Sequence, residues 1–130
     1  MEMIPFSTTT KAQRERKPVV IGETMKTRVN PVAEKLGADT FKPRSQSELK
    51  QVWFRNQRQW IQRQIRSGRR IFDIGIQRGR PRSPYYATEK EVLQKKGYQR
   101  QFRKYIKVPV ENDLGVVQTK QFRLYEWGKE

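Results

Sequence analysis

The spacing of apolar positions divides the chain into a sparse leader and a patterned body. Up to residue 45 the apolar residues are scattered, and Pro5, Pro18, Pro31 and Pro43 recur at nearly even intervals. Each proline disfavours helix in the residue before it and removes a ladder donor, so residues 1–45 are expected to form an extended basic arm. The one regular element expected there is a short helical turn from Val32 to Leu36, stopped by Gly37. Beyond residue 45 the pattern changes. Ser45 and Glu48 have the spacing of a capping box, and Val52, Trp53, Phe54, Trp60, Ile61 and Ile65 fit one broad helical face that Gly68 closes. The RRIFDI segment has the length and composition of a strand, and Ile71, Phe72, Ile74 and Ile76 do not alternate strictly, as in a strand covered on both faces.

GIQRGRPRS, residues 75–83, is a loop by its glycines and proline. Ser83 and Pro84 then supply an N-cap and a first-turn proline, predicting a second helix through Lys96 that Gly97 ends. Lys95 and Lys96 at its C-terminal end suit the helix dipole. Phe102, Ile106, Val108 and Val110 fall on alternate positions, ENDLG supplies a turn, and VVQTKQFRLYEW alternates again, which predicts an antiparallel hairpin. The expected fold is therefore α+β: a small domain over residues 46–130 ordered helix, strand, helix, β-hairpin, preceded by the N-terminal arm.

Charge adds a partner class. The formal net charge is +16, and residues 46–110 hold seventeen Lys/Arg against four Asp/Glu. So basic a chain favours DNA, RNA or an acidic protein surface. Between Arg55 and Arg82 lie nine arginines, no lysine and one acid, Asp73. Arginine carries a planar fork of donors that binds phosphate bidentately and stacks on flat faces. Arg55, Arg58, Arg63, Arg66, Arg69, Arg70, Arg78, Arg80 and Arg82 are therefore the candidate contacts to nucleic acid or an acidic partner. Trp53, Trp60, Tyr85, Tyr86 and Trp127 could stack on bases, but a chain this poor in aliphatic residues is expected to use aromatics as core.

The chain has neither cysteine nor histidine, which removes thiolate chemistry, histidine general bases and the usual zinc ligands. No cofactor and no catalytic residue are expected. Asp73, Glu89 and Glu91 are the acids that a magnesium-dependent nuclease would use, but no acid-x-lysine signature accompanies them. No apolar run approaches the roughly 18 residues of a membrane span, and the N-terminus lacks a secretory signal, so a soluble chain beginning at Met1 is expected.

Asn56, Trp60, Ile61, Ile65, Gly68 and Ile71, followed by Ser83, Tyr85, Tyr86, Glu89, Leu93, Gly97 and Tyr98, form a pattern over about residues 53–98. It resembles the short module at the C-terminal end of Rhs-type polymorphic toxins and some phage virion proteins. The resemblance implies a helix ending in glycine, a strand, and a second helix carrying glutamate and leucine before Gly-Tyr, with structural roles for Asn56, Gly68, Glu89, Gly97 and Tyr98. It carries over no active site.

These features lead to the expectation of a non-enzymatic structural component of a large nucleic-acid-containing assembly, most simply a phage virion. Its partners would be other protein subunits and DNA or RNA phosphates, with no membrane and no small-molecule substrate, in the virion or the cytoplasm. A nucleic-acid-directed toxin or nuclease, and a ribosome-associated or free nucleic-acid-binding protein, are the alternatives.

Overall fold

The computed structural model of the chain describes residues 16–41 and 50–129. Strand β1 (Val19–Ile21) is followed by a π-helical turn (Met25–Val29) that runs into helix α1 (Asn30–Leu36). Helix α2 (Lys50–Arg66), strand β2 (Ile71–Asp73), helix α3 (Pro84–Lys95) and the long strands β3 (Gln99–Glu111) and β4 (Val117–Gly128) complete it. The four strands form one sheet in the order β1-β2-β4-β3. β1 lies parallel to β2, and the other two pairings are antiparallel. The described residues thus have the mixed α+β class expected from the sequence.

The sheet has a core on each face because strand side chains alternate. On one face Val20, Phe72, Ile106, Val108, Val110, Phe122 and Leu124 pack with Val29, Val32 and Ala33 of the π-helical turn and α1. On the other, Val19, Ile21, Ile71 and Trp127 pack with Ile61 of α2 and with Tyr86, Val92 and Leu93 of α3. β2 is central and buried along its whole length. Two helix ends follow the glycine rule read from the sequence. Gly68 and Gly97 adopt φ of 70° and 83°. In each case the next residue's N–H reaches back to close the last turn, Arg69 to the Gln64 carbonyl and Tyr98 to the Leu93 carbonyl. At the start of α3, Ser83 Oγ accepts from the Tyr86 N–H at 3.3 Å, with Pro84 in the first turn.

The expected arm is corrected over its described part, residues 16–41. Val19, Val29 and Val32 are wholly buried and Val20 is 1% exposed, so this segment is core. The prolines start elements instead of interrupting them. Pro18 precedes β1 and its carbonyl accepts the Asp39 N–H at 2.9 Å, while Pro31 stands in the first turn of α1, where a missing N–H costs nothing. The β-branched triplet Val19-Val20-Ile21 needs a partner before it can be a strand, and β2 provides it from fifty residues downstream, in the register Val20 opposite Phe72. Pro5, Pro43 and the Ser45–Glu48 capping box lie outside the described residues.

A second correction concerns the hairpin. Phe102 does not share a face with Ile106, Val108 and Val110. The register shifts between Phe102 and Lys104, a bulge at Arg103 that turns Phe102 to the opposite side, where it pairs with Tyr125.

Since β1 and α1 supply core on both faces of the sheet, a fragment spanning residues 42–130 is expected to lose cooperative folding. Thermal unfolding followed by near-UV circular dichroism checks this: a sharp transition in the fragment close to that of the full chain would show that the leader is dispensable.

Candidate nucleic-acid interface

The only strand bonds that β2 makes to β4 are opposite Tyr125, Glu126 and Trp127. After Asp73 the chain turns away at Gly75, at φ 77°, and among the described residues no strand lies beside the rest of that β4 edge. An open groove of about 620 Å³ occupies this position. Five cations line it: Arg28, Arg78, Lys90, Arg100 and Arg123. Among the described residues no carboxylate lines it. Aromatic rings support three of the cations. Arg100 stands 4.4 Å from the Tyr125 centroid, Lys90 4.8 Å from Tyr86 and Arg28 5.7 Å from Phe122.

The sheet face beside the groove is aromatic. Phe102 meets Tyr105 edge-on at 5.3 Å and Tyr125 at 5.7 Å. Tyr105 is 55% and Phe102 44% exposed, high values for rings so well placed to pack. Arg123 lies across the strand from Tyr105, and the Tyr125 and Tyr105 side chains favour its charged form. Cationic forks beside exposed flat rings are the combination that single-stranded nucleic acid requires, phosphate to the former and bases to the latter.

The groove is anchored by Asp73, the most enclosed acid among the described residues. Tyr86 Oη donates to both of its oxygens at 2.7 and 2.8 Å, Trp127 Nε1 donates to Oδ2 at 2.8 Å, and the Gly75 N–H donates to Oδ1 at 2.6 Å. Arg100 Nη1 lies 3.7 Å from Oδ2 and donates to Tyr86 Oη at 3.2 Å. Burial pushes Asp73 above its usual value, opposed by the Trp127 and Tyr86 bonds, the Gly75 amide and the Arg100 charge. Every surrounding group is a donor, so the site is built for the carboxylate. Burial, reinforced by Asp73, also drives Tyr86 far above an ordinary phenol, which keeps it a donor.

Seven of the nine candidate arginines are exposed: Arg55, Arg58, Arg63 and Arg66 on α2, and Arg78, Arg80 and Arg82 in the loop. Of these only Arg78 lines the groove. Arg69, Arg70 and Arg82 are engaged by carboxylates of the chain itself. Arg69 pairs with Asp39 at 3.0 Å, and Arg70 grips Glu126 with two bonds of 2.9 and 2.8 Å. Arg82 lies 3.5 Å from Glu23 and donates to the carbonyls of Gln77 and Arg80. Buried Glu126 and Glu23 demand cations, and Arg70 and Arg82 supply them from positions far away in sequence. Glu23 also accepts the Gln77 and Ser83 N–H groups at 2.8 and 2.7 Å, pinning the two ends of the loop. Arg28, Lys90, Arg100 and Arg123 were missed by sequence reasoning. The available signal was the alternation of Arg123 with Tyr125, on the strand face opposite to Phe122 and Leu124.

The three acids of the nuclease alternative do not meet. Glu91 is exposed and paired with Lys95 at 2.9 Å. Glu89 is buried, and burial lifts it to about 8, with Gln57 opposing and Asp73 adding to the rise. Among the described residues no group of three or more His, Cys, Asp or Glu is arranged to hold a metal ion, and no helix is long and apolar enough to cross a membrane. No family model matches the chain, and no curated protein or solved structure matches it.

Two outcomes follow from these acids. Asp73→Asn places an amide donor among donors and is expected to cost about 3 kcal/mol in urea unfolding; a loss below about 0.5 kcal/mol would mean that the carboxylate is dispensable. Glu89 has a folded value of about 8 against an ordinary 4.5, so the native state holds one proton more than the unfolded chain between these values. Its contribution is full below about pH 4.5 and falls by about 1.4 kcal/mol per pH unit up to about pH 8. Glu89→Gln is expected to remove that slope from the stability–pH profile.

Proposed function

We propose that the protein is a non-enzymatic component of a nucleic-acid-containing assembly, of which a phage virion is the simplest example, and that it holds single-stranded nucleic acid in the groove between the 74–78 segment, α3 and β4. The observation that carries this reading is the groove itself: five cations, no carboxylate among the described residues, and an exposed Phe102–Tyr105–Tyr125 strip at its side. Guanidinium and ammonium groups held on aromatic rings are already ordered and partly desolvated, so less freedom is lost when phosphate arrives. A non-catalytic role is supported by the commitment of Asp73 to internal donors and of Glu91 to Lys95. The arginines of α2, exposed and outside the groove, are a second basic surface suited to acidic neighbours in the assembly or to further phosphates.

Fluorescence anisotropy of a labelled oligothymidylate, measured over a range of salt, tests this. Binding is expected to weaken steeply with salt, since each phosphate contact contributes about −0.7 to the log–log slope on a single strand. The triple substitution Arg78→Gln, Lys90→Gln, Arg123→Gln should reduce the slope by about 2, and Arg55→Gln with Arg58→Gln by less. An unchanged slope in the triple variant, or a larger change in the α2 variant, would overturn the assignment of the groove.

A further inference from the structure

A second, smaller cleft, which shares no lining residue with the basic groove, lies where α2 and α3 meet the end of β1. It has a volume of about 140 Å³ and is walled by Trp53, Tyr85, Tyr86 and Ile21, with Gln57 and Glu89 among its polar groups. Its walls are flat. Trp53 and Tyr85 rings lie 5.8 Å apart, and Phe54 stacks on Tyr85 at 5.0 Å.

Two side-chain atoms of its lining residues are buried with no hydrogen-bond partner among the described residues, the donor Trp53 Nε1 and the acceptor Gln57 Oε1. Gln57 is 4% exposed, so its open carbonyl has no access to bulk water. Both side chains come from one face of α2, four residues apart, which brings them to the same wall. A buried donor and a buried acceptor left open together are unfavourable alone and are satisfied by a guest that offers one of each.

We propose that this cleft binds a small, neutral, planar heterocycle of single-ring pyrimidine size with a lactam edge, an N–H beside a C=O. Size sets the upper limit: a cavity of about 150 Å³ accommodates benzene, so one six-membered ring fits and a purine nucleoside does not. Polarity sets the edge, because the ring C=O accepts from Trp53 Nε1 and the ring N–H donates to Gln57 Oε1. Charge sets neutrality. With Glu89 protonated at neutral pH, the cleft carries no ionised group to hold an ion.

This site stands apart from the phosphate groove and does not rest on it. The free base and the same base within a strand present one chemistry, so both uracil and a short oligouridylate serve as probes. Uracil, added to about 10 mM, is expected to shift the indole N–H resonance of Trp53 in a proton–nitrogen correlation spectrum, the resonance being assigned by its loss in Trp53→Phe. Gln57→Met should weaken the titration by at least tenfold while leaving the thermal midpoint within a few degrees. A response to the oligouridylate but not to uracil would assign the site to a strand-borne base. Absence of any shift with either probe would overturn the proposal. So would benzene shifting the same resonance as strongly as uracil, since the lactam edge would then contribute nothing. Should Gln57→Met fail to fold, the uracil and benzene titrations of the unaltered protein decide the matter alone.

Discussion

One buried carboxylate ties the molecule together. Asp73 belongs to β2, yet its partners come from α3 through Tyr86, from β4 through Trp127, from β3 through Arg100 and from the turn through Gly75. A carboxylate without water is tolerable only when its lone pairs are filled, and three donors fill them here, with the Arg100 charge 3.7 Å away. The geometry is thereby mutual, because moving any one donor leaves the charge exposed to an apolar interior. Arg100 is held in this way beneath Tyr86 and against Tyr125, so the floor of the basic groove takes its position from the core rather than from a mobile side chain.

The acids and bases of the chain are sorted by depth. Glu23, Asp73, Glu89 and Glu126 are all buried. Glu126 receives Arg70 and Arg103, Glu23 receives Arg82 and two backbone amides, and Glu89 is neutral at ordinary pH. Withdrawing these carboxylates leaves the exterior more basic than the composition implies. A surface cation then finds few anions of its own chain within a Debye length, which favours phosphate from outside.

Helix ends and the hairpin were legible because their determinants are local. Gly68, Gly97 and the Ser83-Pro84 pair act within one turn, and the alternation from Ile106 to Val110 and along β4 is a property of adjacent residues. The strand β1 was not legible. Val19 to Ile21 is three residues long, its ladder partner is fifty residues away, and four spaced prolines suggest an arm more strongly than three β-branched residues suggest a strand. The site divides in the same manner. Counting arginines located a basic middle, but whether Arg69, Arg70 and Arg82 face solvent depends on Asp39, Glu126 and Glu23, each more than two dozen residues distant in sequence. The groove cations Arg28, Lys90, Arg100 and Arg123 come from four elements and form no run.

The bulge at Arg103 decides what the open side of the hairpin presents. With an uninterrupted pleat Phe102 would point the same way as Ile106, inward, and leave Tyr105 and Tyr125 without it. One extra residue reverses that parity for the first part of β3, placing three rings on a common surface, while Arg103 reaches Glu126 at 3.0 Å. The breadth of the aromatic strip is thus governed by chain length at a single point. Loss or gain of one amino acid there would erase it while leaving every ring in the sequence.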